Sequence, residues 1–367
     1  SDYLIIDGTI NTLNGIVDLQ GGTVEWRGPL TVGVGGVISG RGSINTNSAN
    51  PAAAAGLSNN GTLQLSAGFT DIFGPVASTS GSRIIVTGGG TTTFYRNVSL
   101  AAGSNFQVSA NSSAVFFGNV SGTGNFTGSG TKYFEAGSSV LGSVEDAGST
   151  VVQAPASVTA SFFRENSLTV TGHTTLTTSG GASHLNQLNI DPNGVLDLKN
   201  NSLVLEAADL AVVTDQIRNG LVHGTGMVSS SPGASYRLGA ISNSNGAGGP
   251  IYSSFQGISG LNGDEVLVRY TVIGDLNLDG TVSISDFIDL AAHFNVSSGA
   301  TWQIGDVNYD GAVTIADFID LASNFNQSIA GDASPIGAAV PEPSLAALAI
   351  VGMSLAIGRR RRHLLAS

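Results

Sequence analysis

Gly103-Ser104-Asn105-Phe106-Gln107-Val108 is one instance of a unit that recurs from Ile5 to about Leu205. Phe106 and Val108 stand two apart behind a Gly-Ser turn, the period of a strand that buries one face. Gly22-Thr23-Val24-Glu25-Trp26, Gly61-Thr62-Leu63-Gln64-Leu65 and Asn193-Gly194-Val195-Leu196-Asp197-Leu198 repeat it. Turn signals return every ~8–12 residues, and no stretch has helical periodicity. Short strands without long intervening loops predict a mainly β chain, a Gly-rich β-solenoid (β-helix-like) over residues 1–205, each rung burying an inward row against its neighbours. One or two β-sandwiches are the alternative.

Composition agrees. The chain has 51 Gly in 367 residues, about twice the ordinary share of ~7%. Charged residues are 11%, against a usual ~25%. The net charge of −12 excludes a nucleic-acid role, since phosphate binding needs clustered bases, and outside one terminal run there are only Lys132, Lys199 and eight scattered Arg. Cysteine is absent, which removes disulfides, thiolate metal sites and a Cys nucleophile. Ser1-Asp2-Tyr3-Leu4 lacks the features of a signal peptide, so either a removed signal or a fragment is expected.

Residues 206–274 read as a β-rich capping or connecting segment. Thr214 to Gly220 suggests a short helix, Asn243 to Gly249 a flexible loop, and Asp264 to Val272 an alternating strand.

Residues 275–326 carry a duplication. Asp275-Leu276-Asn277-Leu278-Asp279-Gly280-Thr281-Val282-Ser283-Ile284-Ser285-Asp286 aligns without a gap on Asp306-Val307-Asn308-Tyr309-Asp310-Gly311-Ala312-Val313-Thr314-Ile315-Ala316-Asp317. Calcium takes 6–8 hard oxygens at ~2.3–2.6 Å, and a twelve-residue EF-hand-like loop wraps them round one ion. Asp275, Asn277 and Asp279 offer side-chain oxygens, Gly280 the sharp turn, and Thr281 its carbonyl. Ser283 falls at a ligand or water position, and Asp286 closes the loop. Asp306, Asn308, Asp310, Gly311, Ala312, Thr314 and Asp317 repeat the set, giving two Ca2+ sites. Phe287, Leu290, Ala291 and Phe294 after the first loop, and Phe318, Leu321, Ala322 and Phe325 after the second, have helical spacing, so two helices packing face to face are expected. The segment holds eight Asp and no Lys or Arg, so the convergent carboxylates call for a cation.

This segment resembles the type I dockerin family, whose repeat is a calcium loop plus one helix. Closure by Asp286 and Asp317 is also dockerin-like. The resemblance implies a cohesin-like partner touching Ile284-Ser285 and Ile315-Ala316, which lack the Ser/Thr pair of cellulosomal examples.

After a linker at 327–340, Pro341-Glu342-Pro343 precedes a 14-residue apolar run, Leu345 to Gly358, and then Arg359-Arg360-Arg361-Arg362. The run is short of the ~20 residues that span a bilayer, and the arginines mark a cytoplasmic end. Residues 341–367 resemble a PEP-CTERM sorting signal. That likeness implies export, a short transmembrane helix and an exosortase-type processing enzyme. The order of β repeats with autotransporter-like character, calcium pair and tail resembles surface proteins of planctomycete-type bacteria. A structural or adhesive surface protein follows, with a cohesin-like protein or extracellular polysaccharide as partner.

No catalytic residue is assigned. His173, His184, His223, His293 and His363 have no metal-ligand spacing. The enzymatic alternative is a polysaccharide lyase or hydrolase on the solenoid, which needs carboxylates gathered on one face. Residues 1–274 hold sixteen Asp and Glu, adjacent only at Glu145-Asp146 and Asp264-Glu265. Neighbours in a strand face opposite ways, so neither pair forms a dyad alone.

Overall fold

Inward residues two apart force the backbone into stacked parallel strands, and the computed structural model consists mostly of them. It describes residues 3–6, 12–46, 56–206 and 208–329. Two parallel sheets run up the molecule, the smaller of them 11-stranded with a strand from each successive rung. Val76, Val98 and Val120 pair in register at 22 residues per rung, whereas Ser157 and His173 pair at 16. The rung is therefore elastic in length, which is why the sequence has no fixed period. The β-solenoid expectation holds.

One interior column passes through Ile44, Ile72, Phe94, Phe116, Phe134, Val152 and Val170, each paired with the next. All seven are at most 1% exposed. Phe106 wedges beside it, its ring 5.4–5.5 Å from those of Phe94, Phe116 and Phe126. Corners admit no side chain in places: a Cβ on Gly122, at φ 113°, would lie 2.0 Å from the carbonyl oxygen of Leu100 on the rung below. Close rung stacking thus accounts for part of the glycine excess.

A charged cluster is buried between the rungs. Lys132 Nζ lies 2.7 Å from Asp146 and 3.1 Å from Glu165, all three side chains at most 2% exposed. Thr150 donates to Glu165 at 3.0 Å. Burial pushes the Glu165 carboxyl up to about 7 despite the Lys132 charge. Carboxylates dispersed in sequence do converge here.

At the C-terminal end the parallel order stops. Ser202–Leu205 pairs antiparallel with Val266–Val272, which pairs antiparallel with Tyr236–Ser242. Helix α1 (Leu210–His223) packs against Gly226–Val228. It is longer than the Thr214–Gly220 helix expected from sequence. Asp209, not Thr214 or Asp215, caps its start by accepting from Ala211 N–H, and Gly224 ends it. Gly220 lies inside the helix where a Cβ would meet the Met227 carbonyl at 2.0 Å, so it marks close packing rather than a stop. Two shorter helices follow, α2 (Ile284–Ala292) and α3 (Ile315–Ser323). Pro341-Glu342-Pro343, the apolar run and Arg359 to Arg362 lie outside the described residues. Among those described, no helix is long and apolar enough to cross a membrane.

Phe106→Ala removes a ring with no exposed surface and is expected to cost about 3–5 kcal/mol. Phe117→Ala should cost far less: this outward ring is 45% exposed and stacks on Tyr95 alone. Urea unfolding of both variants checks the ranking.

Candidate metal centre

Each loop is organised by carboxylates that accept from its own backbone. Asp275 takes the N–H of Asp279 at 3.1 Å and of Gly280 at 2.9 Å, and Asp306 takes those of Asp310 at 3.0 Å and Gly311 at 2.9 Å. Asp279 and Asp310 accept from Thr281 and Ala312, both at 2.9 Å. The fourth residues, Leu278 and Tyr309, sit at φ 62° and 63°, and Gly280 and Gly311 at 97° and 91°. The two loops therefore repeat in conformation as well as in sequence.

The closing residues do more than close. Asp286 lies in the first turn of α2 in a capping box with Ser283, and Asp317 pairs likewise with Thr314 at the start of α3. Their other oxygens reach back across the loops, to Leu276 N–H at 2.8 Å and Val307 N–H at 3.1 Å. The hydroxyls of Ser283 and Thr314 accept from Ser285 and Ala316 N–H, so the residues expected at a ligand or water position act as helix caps. Each helix start is thereby tied to its own loop.

The helices meet only in part as expected. Phe287 and Phe318 pack edge-on at 5.4 Å, and Leu290 and Leu321 are buried. Phe294 and Phe325 are 41% and 48% exposed, and Ala291 and Ala322 are also exposed. Helices of nine residues end before the stripe's last turn reaches the partner. Backbone pairing joins the halves instead. Val282 bonds with Gln327 and Asn326 beyond α3, and Val313 with Val296 and Asn295 beyond α2.

Electrostatically the loops are strained. Asp275, Asp286, Asp306 and Asp317 have no exposed surface, while Asp279 and Asp310 are open to solvent. Burial, with Asp279 and Asp286 alongside, pushes Asp275 up to about 7. Burial pushes Asp306 up to about 6 and raises Asp286 as well. Among the described residues no three His, Cys, Asp or Glu side chains gather as a metal-holding group. A calcium set here has to draw on Asn277, Asn308 and the carbonyls of Thr281 and Ala312 beside the carboxylates. All these donors are hard oxygens, so the residues fit calcium.

Sequence reading missed the arginines. None lies within the duplication, yet three from the solenoid end donate to its loop carbonyls: Arg269 to Leu278 at 2.8 Å, Arg237 to Val307 at 2.6 Å and Arg218 to Tyr309 at 2.9 Å. Tyr252 donates to the Asn277 carbonyl at 2.9 Å, and Tyr309 to that of Leu238 at 2.8 Å. Trp302, fully buried, donates to the Asp275 carbonyl at 2.7 Å. Gly239 lets the contact close, because a Cβ there would come within 2.7 Å of Trp302 and Leu278. Except for Arg269, nine residues from Leu278, these partners are distant in sequence, and nothing in the local pattern announces them.

No family model, no curated protein and no solved structure matches the chain.

The raised carboxyls give stability a sign. Asp275 ionises at 3.8 when unperturbed and at about 7 when folded, so without a cation the folded state loses stability as pH rises through that window. Thermal melting in chelator should therefore give a higher Tm at pH 5 than at pH 8, and excess calcium should abolish or reverse the order. Equal melting temperatures at both pH values in chelator would contradict the burial of these carboxyls.

Proposed function

We propose that the protein is an exported cell-surface structural or adhesive protein, a β-solenoid whose end is closed by a dockerin-like module holding two calcium ions. The observation that carries this reading is the seating of both loops on helix α1 and the last strands through Arg218, Arg237 and Arg269. Calcium gathers the carboxylates, and the same loops present their carbonyls to the guanidinium groups. Ion binding and capping are then linked, each favouring the other.

The opposite side of the module stays free for a partner. Ile284, Ile288, Ile315 and Ile319, at equivalent positions of α2 and α3, are 62%, 59%, 60% and 55% exposed. Four exposed isoleucines on two short helices favour a protein partner of the cohesin-like kind. Export and surface attachment rest on the Pro341-Glu342-Pro343 tail and its likeness to an exosortase substrate.

A polysaccharide-cleaving solenoid is the second reading, favoured by the meeting of Asp146 and Glu165 on Lys132. Those carboxylates are at most 2% exposed and accept from protein donors. They fit an internal brace better than a pair that contacts substrate.

Calorimetry on the whole chain should give two calcium ions per molecule. Asp275→Ala with Asp306→Ala should abolish binding, while Asp289→Ala should leave it intact. Hydrogen exchange of Val266–Val272 should accelerate on chelation, and less so once Arg218 and Arg237 are changed to Ala. Unaltered exchange of that strand on chelation would break the link between ion and cap. For the tail, mass spectrometry of native envelope protein should show a C-terminus near Pro341-Glu342-Pro343. An intact end at Ser367 would count against processing.

A further inference from the structure

We propose that the outer face of the solenoid around His184 and Asn186 binds a neutral polysaccharide strand. The site lies where rungs Val144–Glu145, Phe163–Val170 and Ser183–Ile190 stack. Register places Glu145 beside Arg164 and Arg164 beside His184. Arg164 approaches Glu145 at 3.6 Å, and His184 meets Glu206 at 2.7 Å. On the neighbouring column Asn186 donates to Asn166 at 3.2 Å, both side chains exposed. Glu145, Arg164, Asn166, His184 and Asn186 border an open hollow of about 620 Å³. Asn186 also borders a second hollow of about 400 Å³, whose wall includes Leu188, Val212 and Met227 beneath α1. Asn186 lines both, setting a polar half and a half with an apolar wall side by side.

The chemistry narrows the ligand. Each acid already has a partner beside it, Arg164 for Glu145 and the His184 ring for Glu206, so the site offers a mixed polar array rather than a bare charge. Along the column, at the rung spacing of ~4.8 Å, stand a carboxylate, a guanidinium and an imidazole, with a second carboxylate and two amides alongside. A sugar hydroxyl both donates and accepts, and a row of vicinal hydroxyls meets such a mixed array without leaving a group unpaired. The apolar half suits the C–H faces of the same rings. A trough crossing three rungs matches a chain rather than a monosaccharide.

This deepens the adhesive reading and rests on it for access to extracellular glycan. Calcium capping is measured separately, so either can fail alone. The test uses the whole purified chain with calcium present, in affinity electrophoresis and calorimetry. The probes are xyloglucan, glucomannan and laminarin as neutral polymers, and polygalacturonate and alginate as acidic ones. At least one neutral polymer should retard the protein. His184→Ala with Asn186→Ala should weaken that binding at least tenfold without lowering Tm, and Gln107→Ala, outward on a remote rung, should leave it unchanged. Should the first pair fold poorly, Asn166→Ala with Asn186→Ala makes the same measurement on exposed side chains alone. Retention by none of the neutral polymers, tighter binding of the acidic ones, or full affinity in the substituted proteins would overturn the proposal.

Discussion

A parallel rung sends its N–H and C=O groups along the stack, where the next rung satisfies them, so a solenoid is stable only as far as its last rung is covered. Here Ser202–Leu205 meets an antiparallel strand, Val266–Val272, and that strand meets another, Tyr236–Ser242. Reversing direction ends the repeat, because no further parallel rung can follow in the same register. The reversed strands also carry Arg237 and Arg269 to the top of the molecule. The duplicated loops lie against those side chains, and the end of the stack is built from the duplication as much as from the solenoid.

Inside the stack, apolar columns supply most of the driving force, and the Lys132 cluster is the exception. Removing three ionisable side chains from water is costly, and their mutual attraction offsets it only where hydrogen bonds are complete. Asp146 comes close, accepting from Lys132 and from Gly148 N–H at 2.8 Å. Glu165 does not, since Oε1 has no partner, and its raised carboxyl records the deficit. The rung shortens through this neighbourhood, from 22 residues at Val98–Val120 to 19 at Ser138–Ser157 and 16 at Ser157–His173.

How much was legible follows from how local each signal is. The strands were readable because their period is two and each rung buries its own alternate residues, as Asn105–Val108 does. The duplicated loops were readable because all of a loop's turn chemistry lies within twelve residues. What sequence did not reveal depends on separations of tens of residues. Arg218 meets Tyr309 across 91 positions and Arg237 meets Val307 across 70. Lys132 and Glu165 lie on different rungs, and no spacing rule joins them when rung length varies. The start of α1 was misplaced for a nearer reason: Asp209 and Thr214 are both capping types, and only the packing of Val213 and Ile217 selects the earlier one.

The two loops repeat in conformation but not in surroundings, and that difference bears on how they act. Leu278 and Tyr309 are equivalent, and both carbonyls take an arginine. Leu278 packs as a buried apolar residue, whereas Tyr309 is a buried ring that reaches on to Leu238 and stacks on Trp302 at 5.6 Å. Burial raises its hydroxyl far above the usual range, so it stays a donor and cannot loosen by ionising. The first loop has Arg269 beneath it, with burial lowering the guanidinium from its usual value while Asp275 and Asp279 oppose that shift. A positive charge against the first loop tempers its attraction for a cation, yet it also lowers the penalty of keeping Asp275 ionised. Arg218 and Arg237 stand against the second loop as well, together with the ring wedged into the cap, so near-repetition of the loop residues does not give the two loops equal surroundings.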